Sequence, residues 1–158
     1  RARRDGGIAD RHRGAPWCSG TAQVSVGGAV RFAGYAALFD LVDAARDIIL
    51  PGAFTRALKE RASPLPLLWQ HRADQVIGEI EIAEEDRRGL RVVARIDSPY
   101  CRAAAALETK SVSGLSFGYR ARLYRLMPEG RVLEDVDLLE VSLVSHPLQH
   151  GARVHLVR

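Results

Sequence analysis

Cysteine is nearly absent: Cys18 and Cys101 are the only two in 158 residues, and their separation is not that of a metal-ligand pair. A cysteine-built zinc site and a dense disulfide framework are excluded, and a reduced intracellular protein is the simplest account, with one disulfide as the alternative. No apolar run approaches the ~20 residues of a membrane-spanning helix. The N-terminus has no apolar core of a secretory signal. The chain does not open with methionine, as expected of either an expressed fragment or a processed product. Aromatic residues make up only 6% of the chain, and none interleaves with the arginines crowded at its start, which removes the usual stacking partners of a nucleic-acid arm. Internal repeats are missing as well.

What is present reads as a globular protein. Hydrophobic residues make up 47% and charged residues 27%, and the length suits one domain with its own core. The net charge is +4, with much of the excess carried by Arg1, Arg3, Arg4, Arg11 and Arg13. Residues 1–19 are therefore expected to form a flexible basic tail, and 20–158 a single domain. A basic nucleic-acid-binding barrel is a weaker reading of the same charge.

The pattern beyond the tail is that of strands. TAQVSVGG and VRFAGYAALF alternate around Gly27-Gly28 and predict a hairpin. Residues 40–49 predict a loop. Pro51-Gly52 opens a short helix, GAFTRALKER, whose Phe54, Ala57 and Leu58 form a narrow apolar stripe. PLPLLWQH predicts a strand ending at His71, and Val76, Ile80 and Ile82 mark another by partial alternation. GLRVVARID is a third. Ser98-Pro99 reads as the cap and first residue of a second helix. SVSGLSFGYRARLYRLM is a long strand region, RVLEDVDLLEVSLVSHP supplies one or two more, and ARVHLVR the last. About seven strands with two helices predict a mainly β fold with α elements: a small closed or partly open β-barrel flanked by helices.

Three residues could carry chemistry. Ser116 alternates with Gly114 and Gly118, so a strand would place the hydroxyl on a face stripped of bulk, where a substrate backbone could approach. The plain alternative is a strand serine between two bulge glycines. His71 closes the apolar run Leu67-Leu68-Trp69-Gln70, in strand parity with Leu67 and Trp69, where its ring could be fixed as a general base. A half-buried structural histidine is the ordinary case. Glu140 lies inside Leu138-Leu139-Glu140-Val141-Ser142-Leu143-Val144, and a carboxylate there needs a partner if buried. An imidazolium is one such partner and an arginine another, and Asp135 and Asp137 are rivals in the more polar approach. His146, His150 and His155 have a spacing that hints at a metal, with no cysteine or paired carboxylate to support it. A hydroxyl, an imidazole and a carboxylate are the parts of an activated-serine hydrolase.

These segments, in this order, resemble the phage prohead proteases of the HK97 type, the capsid-maturation enzymes of tailed phages with similar members in gene transfer agents. The resemblance runs from about Phe32 to Val154 through FAGYAALFD, DIILPGAF, LWQH, VIGEI, SVSGLSFGY and LLEVSLVSHP. It implies a fold like the herpesvirus maturation protease (assemblin) and a serine endopeptidase that needs no metal or cofactor. It also implies Ser116 in GLSFGY as nucleophile and His71 in LWQH as base. The herpesvirus enzymes use a second histidine as third member; here Glu140 stands in the matching late strand. Ser111 and Ser113 are neighbouring candidates for the nucleophile. Backbone N–H groups, or Arg120 or Arg122, are the candidates for holding an oxyanion. The partners implied are the major capsid protein and its scaffold region, the chain itself through self-cleavage, and other copies in a homo-oligomer. The implied place is the assembling procapsid in the host cytoplasm, with no membrane. The competing reading is a catalytically inactive capsid-assembly or scaffold-binding β-barrel module.

Overall fold

A computed structural model describes residues 28–158. The tail expected at 1–19 and the first arm of the hairpin expected across Gly27-Gly28 lie outside the described residues. The elements run β1 (Val30–Leu38), β2 (Asp47–Ile49), α1 (Thr55–Glu60), β3 (Leu65–Trp69), β4 (Arg72–Glu85), β5 (Gly89–Ile96), α2 (Arg102–Glu108), β6 (Gly114–Met127), β7 (Gly130–Val144) and β8 (Val154–Val157). One eight-stranded sheet has the order β2-β7-β3-β4-β5-β1-β8, with β6 on the other edge of β7. It curls into a half-barrel. The expected mainly β barrel with short helices is therefore the observed architecture, in its partly open form.

The curl follows from alternation broken at chosen points. β5 turns Leu90, Val92, Ala94 and Ile96 inward without interruption. β4 cannot do the same. Its register against β5 slips between Ile80 and Ile82, so Ile80 is buried while Ile82 is 48% exposed. The slip inserts one residue and reverses the faces beyond it, and a second shift, against β3 between Gly78 and Val76, leaves Val76 44% exposed, so the simple alternation read from Val76, Ile80 and Ile82 does not hold.

β7 is the spine. β2 pairs with it in parallel at residues 131–133 and β3 in parallel at 141–143, leaving its middle without a strand on that side among the described residues. The turn before α1 and the arginines around it cover the gap. Val136 N–H donates to the Ala53 carbonyl. Arg56 Nη2 donates to the Val136 carbonyl at 3.4 Å, and Arg61 Nη2 donates to that of Leu138. Backbone groups that a missing strand would leave bare are thus satisfied. Arg56 also binds Asp135 and Asp137, at 2.8 and 2.7 Å. Both rivals of Glu140 are thereby committed to a structural ion cluster.

Among the described residues, the opposite edge of the barrel is stitched at one end. Leu115 N–H donates to the Ala152 carbonyl, Val154 N–H to Ser113 and Tyr35 N–H to Arg153, so residues 152–154 tie the start of β6 to β1. Gln149 adds to this tie. Its Oε1 accepts from Leu38 N–H at 2.6 Å and its Nε2 donates to the Leu38 carbonyl at 2.9 Å.

Four local expectations need correction. The short helix begins at Thr55, because Pro51–Phe54 form turns, with Ala53 N–H bonded to Leu50. The second helix begins at Arg102 with Cys101 as its cap; Ser98–Tyr100 form a turn in which Cys101 N–H reaches the Ser98 carbonyl at 3.5 Å. Cys101 is 1% exposed and disulfide-bonded, against the expectation of a reduced chain; Cys18 lies outside the described residues. Finally, the 40–49 loop closes with the short strand β2.

Candidate active site

His71 lies beyond the strand that was expected to carry it. β3 ends at Trp69, which pairs with Arg72, and Gln70 and His71 form the two-residue connection to β4. Both have positive φ, 52° and 60°. That is the backbone of a type I′ hairpin turn, which Asn and Gly adopt far more readily than Gln and His. Contacts with β7 hold the strained pair in place. Gln70 N–H donates to the Leu143 carbonyl at 3.0 Å, its side chain bonds Ser145 through Oγ at 2.7 Å, and His71 N–H donates to Ser142 Oγ at 3.1 Å. Strain of this kind gathers where side-chain aim matters.

Glu140 reaches the same place through a bulge. On one side of Leu139, β7 buries Val136 and Leu138; on the other it buries Val141 and Leu143. The inward parity changes because Gly118 stands opposite Glu140 while the next residue, Tyr119, stands opposite Leu138, leaving Leu139 unpaired and 49% exposed. An unbroken strand would have carried positions 140 and 142 into the core with Val136 and Leu138. The extra residue turns them to the other face, as bulges beside active sites often do.

On that face Glu140 Oε1 lies 2.6 Å from His71 Nδ1, and Ser142 Oγ donates to Glu140 Oε2 at 2.7 Å. Each carboxylate oxygen has a partner, which is what a carboxylate needs when its side chain is only 12% exposed. The His71 ring remains 43% exposed, so its second nitrogen is accessible.

Ser116 lies on the same face. β6 pairs antiparallel with β7, with Gly114 opposite Val144, Ser116 opposite Ser142 and Gly118 opposite Glu140. Directly opposed side chains project to the same side, their Cβ atoms about 5 Å apart. The residue is 5% exposed, and among the described residues its hydroxyl has no hydrogen-bond partner. A narrow cleft opens beside it, walled by Tyr119, Leu148, Gln149 and Asp43. The structure thus joins His71 to Glu140 directly and sets Ser116 beside them without a hydrogen bond to the ring.

The glycines flanking Ser116 serve a different purpose from the one read in the sequence. A Cβ on Gly118 would lie 2.5 Å from Glu140 Oε1, and one on Gly114 would lie 2.7 Å from Pro147 Cδ. The bare face at Gly118 therefore seats the chain's own carboxylate rather than standing open for a substrate backbone.

The competing serines are occupied. Ser113 Oγ accepts from Arg153 Nη1 at 3.1 Å, and Ser111 Oγ donates to the Ala106 carbonyl at 3.1 Å. Arg122 faces Asp137 at 3.6 Å. The late histidines are spread: His150 Nδ1 faces Arg153 Nη2 at 3.4 Å, and His155 packs edge-on against Tyr35 at 5.9 Å. The residue that sequence reasoning missed is Ser142. Its signal was its spacing, since in Glu140-Val141-Ser142 the two polar groups share one strand face.

A second polar cluster lies along β6 and β7. Asp47, 3% exposed, receives Arg131 through both oxygens at 2.8 and 2.9 Å and is bonded by the Tyr119 hydroxyl. Burial alone would push its carboxyl up, but the hydrogen bonds from Arg131 and Tyr119 and the Arg131 charge more than offset it and hold it below the ordinary value. Burial and the Asp47 carboxylate push the Tyr119 phenol up.

The curled β half-barrel is a fold shared with the herpesvirus proteases. The varicella-zoster virus protease superposes with a TM-score of 0.53 at 21% identity, over 81% of this chain and 64% of that one. The KSHV protease bound to a hexapeptide phosphonate inhibitor gives 0.56 at 16% identity, over 83% and 65%. The bacteriophage T4 capsid assembly protease gives 0.61 at 15% identity, over 82% and 90%. At these identities the likeness shows the fold. Residues 21–158 match the caudovirus prohead serine proteases as a family, and the chain belongs to that family. It is 31% identical over 130 residues to the prohead protease of Enterobacteria phage HK97, across 78% of this chain and 58% of that protein. The chain thus spans well under two thirds of that relative's length.

Proposed function

We propose that this chain is a serine endopeptidase that cleaves capsid protein and its scaffold region during prohead maturation, with Ser116 as nucleophile, His71 as general base and Glu140 orienting the ring. The observation that carries the reading is the 2.6 Å contact of His71 Nδ1 with Glu140 Oε1, on the strand face that also bears the unpartnered Ser116 hydroxyl. A carboxylate on Nδ1 keeps the proton on that nitrogen and leaves Nε2 as the base. Nε2 takes the Ser116 proton as Oγ attacks the peptide carbonyl, then returns it to the departing amine. Water, activated by the same nitrogen, hydrolyses the acyl-enzyme. Substrate binding draws Ser116 and His71 into hydrogen-bonding reach, as is common for sites that are loose when empty.

The major capsid protein is the proposed substrate and the assembling procapsid in the host cytoplasm the proposed place, with self-cleavage and self-association as companion properties. Among the described residues no helix is long and apolar enough to cross a membrane. The test is cleavage of purified capsid protein, with labelling of the enzyme by a fluorophosphonate. Ser116→Ala is expected to lose both while keeping the melting temperature, and Ser113→Ala to keep most of both, since Ser113 only accepts from Arg153. A capsid-binding module without activity would bind the substrate yet neither cut it nor take the label. Equal loss in the two variants would move the nucleophile away from Ser116.

A further inference from the structure

Ser142 is fully buried, and its hydroxyl uses both its directions on two members of the proposed triad. The oxygen accepts the main-chain N–H of His71 at 3.1 Å, and the single proton goes to Glu140 Oε2 at 2.7 Å. Serine has only one proton to give, so this hydroxyl has none left for a substrate. It stands directly opposite Ser116 in the β6–β7 register.

From this arrangement we infer that Ser142 is a positioning residue that fixes both ends of the His71–Glu140 hydrogen bond. The inference rests on the triad reading given above. The physical need is specific. His71 sits on a two-residue turn with φ of 60°, a conformation its own side chain does not favour. The main-chain N–H held by Ser142 keeps that turn against β7. Glu140 has a second oxygen that, left unbonded, would let the carboxylate rotate about its last torsion and carry Oε1 away from Nδ1. The Ser142 proton holds that oxygen. One hydroxyl therefore sets the backbone from which the base projects and the torsion of the group that orients it. Through them it sets the direction of Nε2 toward Ser116.

The test is turnover of capsid protein by the purified chain carrying Ser142→Ala, Ser142→Cys or Ser142→Thr. It is read together with the low-field proton resonance of the His71–Glu140 hydrogen bond, which is assigned by its disappearance in His71→Ala. Losing one charge-assisted hydrogen bond is expected to lower kcat roughly ten- to hundredfold with KM little changed, and to shift or broaden the low-field resonance. Cysteine keeps the volume but is a weak donor, so it is expected to follow alanine, and it serves as the test if alanine fails to fold. Threonine keeps the hydroxyl and is expected to recover kcat and the resonance. Wild-type kcat and an unmoved resonance in both Ala and Cys variants, with Ser116→Ala inactive, would overturn the role of Ser142 and leave the triad standing. Wild-type cleavage by Ser116→Ala would remove the triad and this inference with it.

Discussion

Gly118→Ala is the sharpest probe of how the site is built. The added methyl carbon would stand 2.5 Å from Glu140 Oε1, 2.8 Å from Cγ and 3.0 Å from Cδ. Ordinary contact begins near 3.4 Å, so the oxygen must retreat by about 0.9 Å. Usually the end of a glutamate side chain would yield at little cost, but this one is held from both sides, by His71 and by Ser142. A shift of that size takes the 2.6 Å contact to the edge of hydrogen-bonding range. The fold should tolerate the change, because Gly118 is not among the residues with positive φ. Overpacking costs about 1–3 kcal/mol, and replacing a strand glycine returns about 0.5–1 kcal/mol. The net loss of stability is then at most ~2.5 kcal/mol, or several degrees of melting temperature. The effect on chemistry is larger, since misplacing a catalytic group by about 1 Å can cost ~10²-fold in rate. The assay is kcat on capsid protein beside a thermal melt of the same sample. Wild-type kcat in a folded Gly118→Ala protein would refute the claim that Gly118 is there to seat Glu140.

Two further outcomes follow from the same geometry. Glu140→Gln keeps the shape of the site but removes the charge opposite the imidazolium, so turnover on capsid protein is expected to fall by as much as ~10⁴-fold, short of the loss in Ser116→Ala; a lowered melting point with normal specific activity would instead make Glu140 a structural residue. The Asp47–Arg131–Tyr119 cluster should govern acid stability: the Asp47 carboxyl is held below its ordinary 3.8, so its contribution is fully present above that value and is lost as pH falls through the lower folded value. Asp47→Asn is therefore expected to melt lower at neutral pH and to show a flatter decline of melting temperature below about pH 4, and an acid limb as steep as the wild type's would contradict the assignment.

The candidate site residues could be read from the chain because each stands in an unusual local setting. Ser116 sits between glycines in strand alternation, His71 ends an apolar run, and Glu140 interrupts one. Alternation in Leu90, Val92, Ala94 and Ile96 was enough to identify β5 and its buried face, because a pleated strand imposes period two on whatever it buries. Parity could not survive the points where the ladder slips. The bulge at Leu139, which turns Glu140 and Ser142 out of the core, and the slip between Ile80 and Ile82 depend on how two strands register, and neither strand carries that information alone. The turn at Gln70 and His71 lacks the residues that announce a type I′ hairpin; contacts with β7, remote in sequence, hold it. Ser142 drew no notice in an apolar strand until the fold brought residues 71 and 140 to its hydroxyl. Residue types and local patterns thus determined which groups were available and the kind of elements that hold them. Pairing between distant strands decided which faces those groups share, because cross-strand register is a property of the assembled sheet.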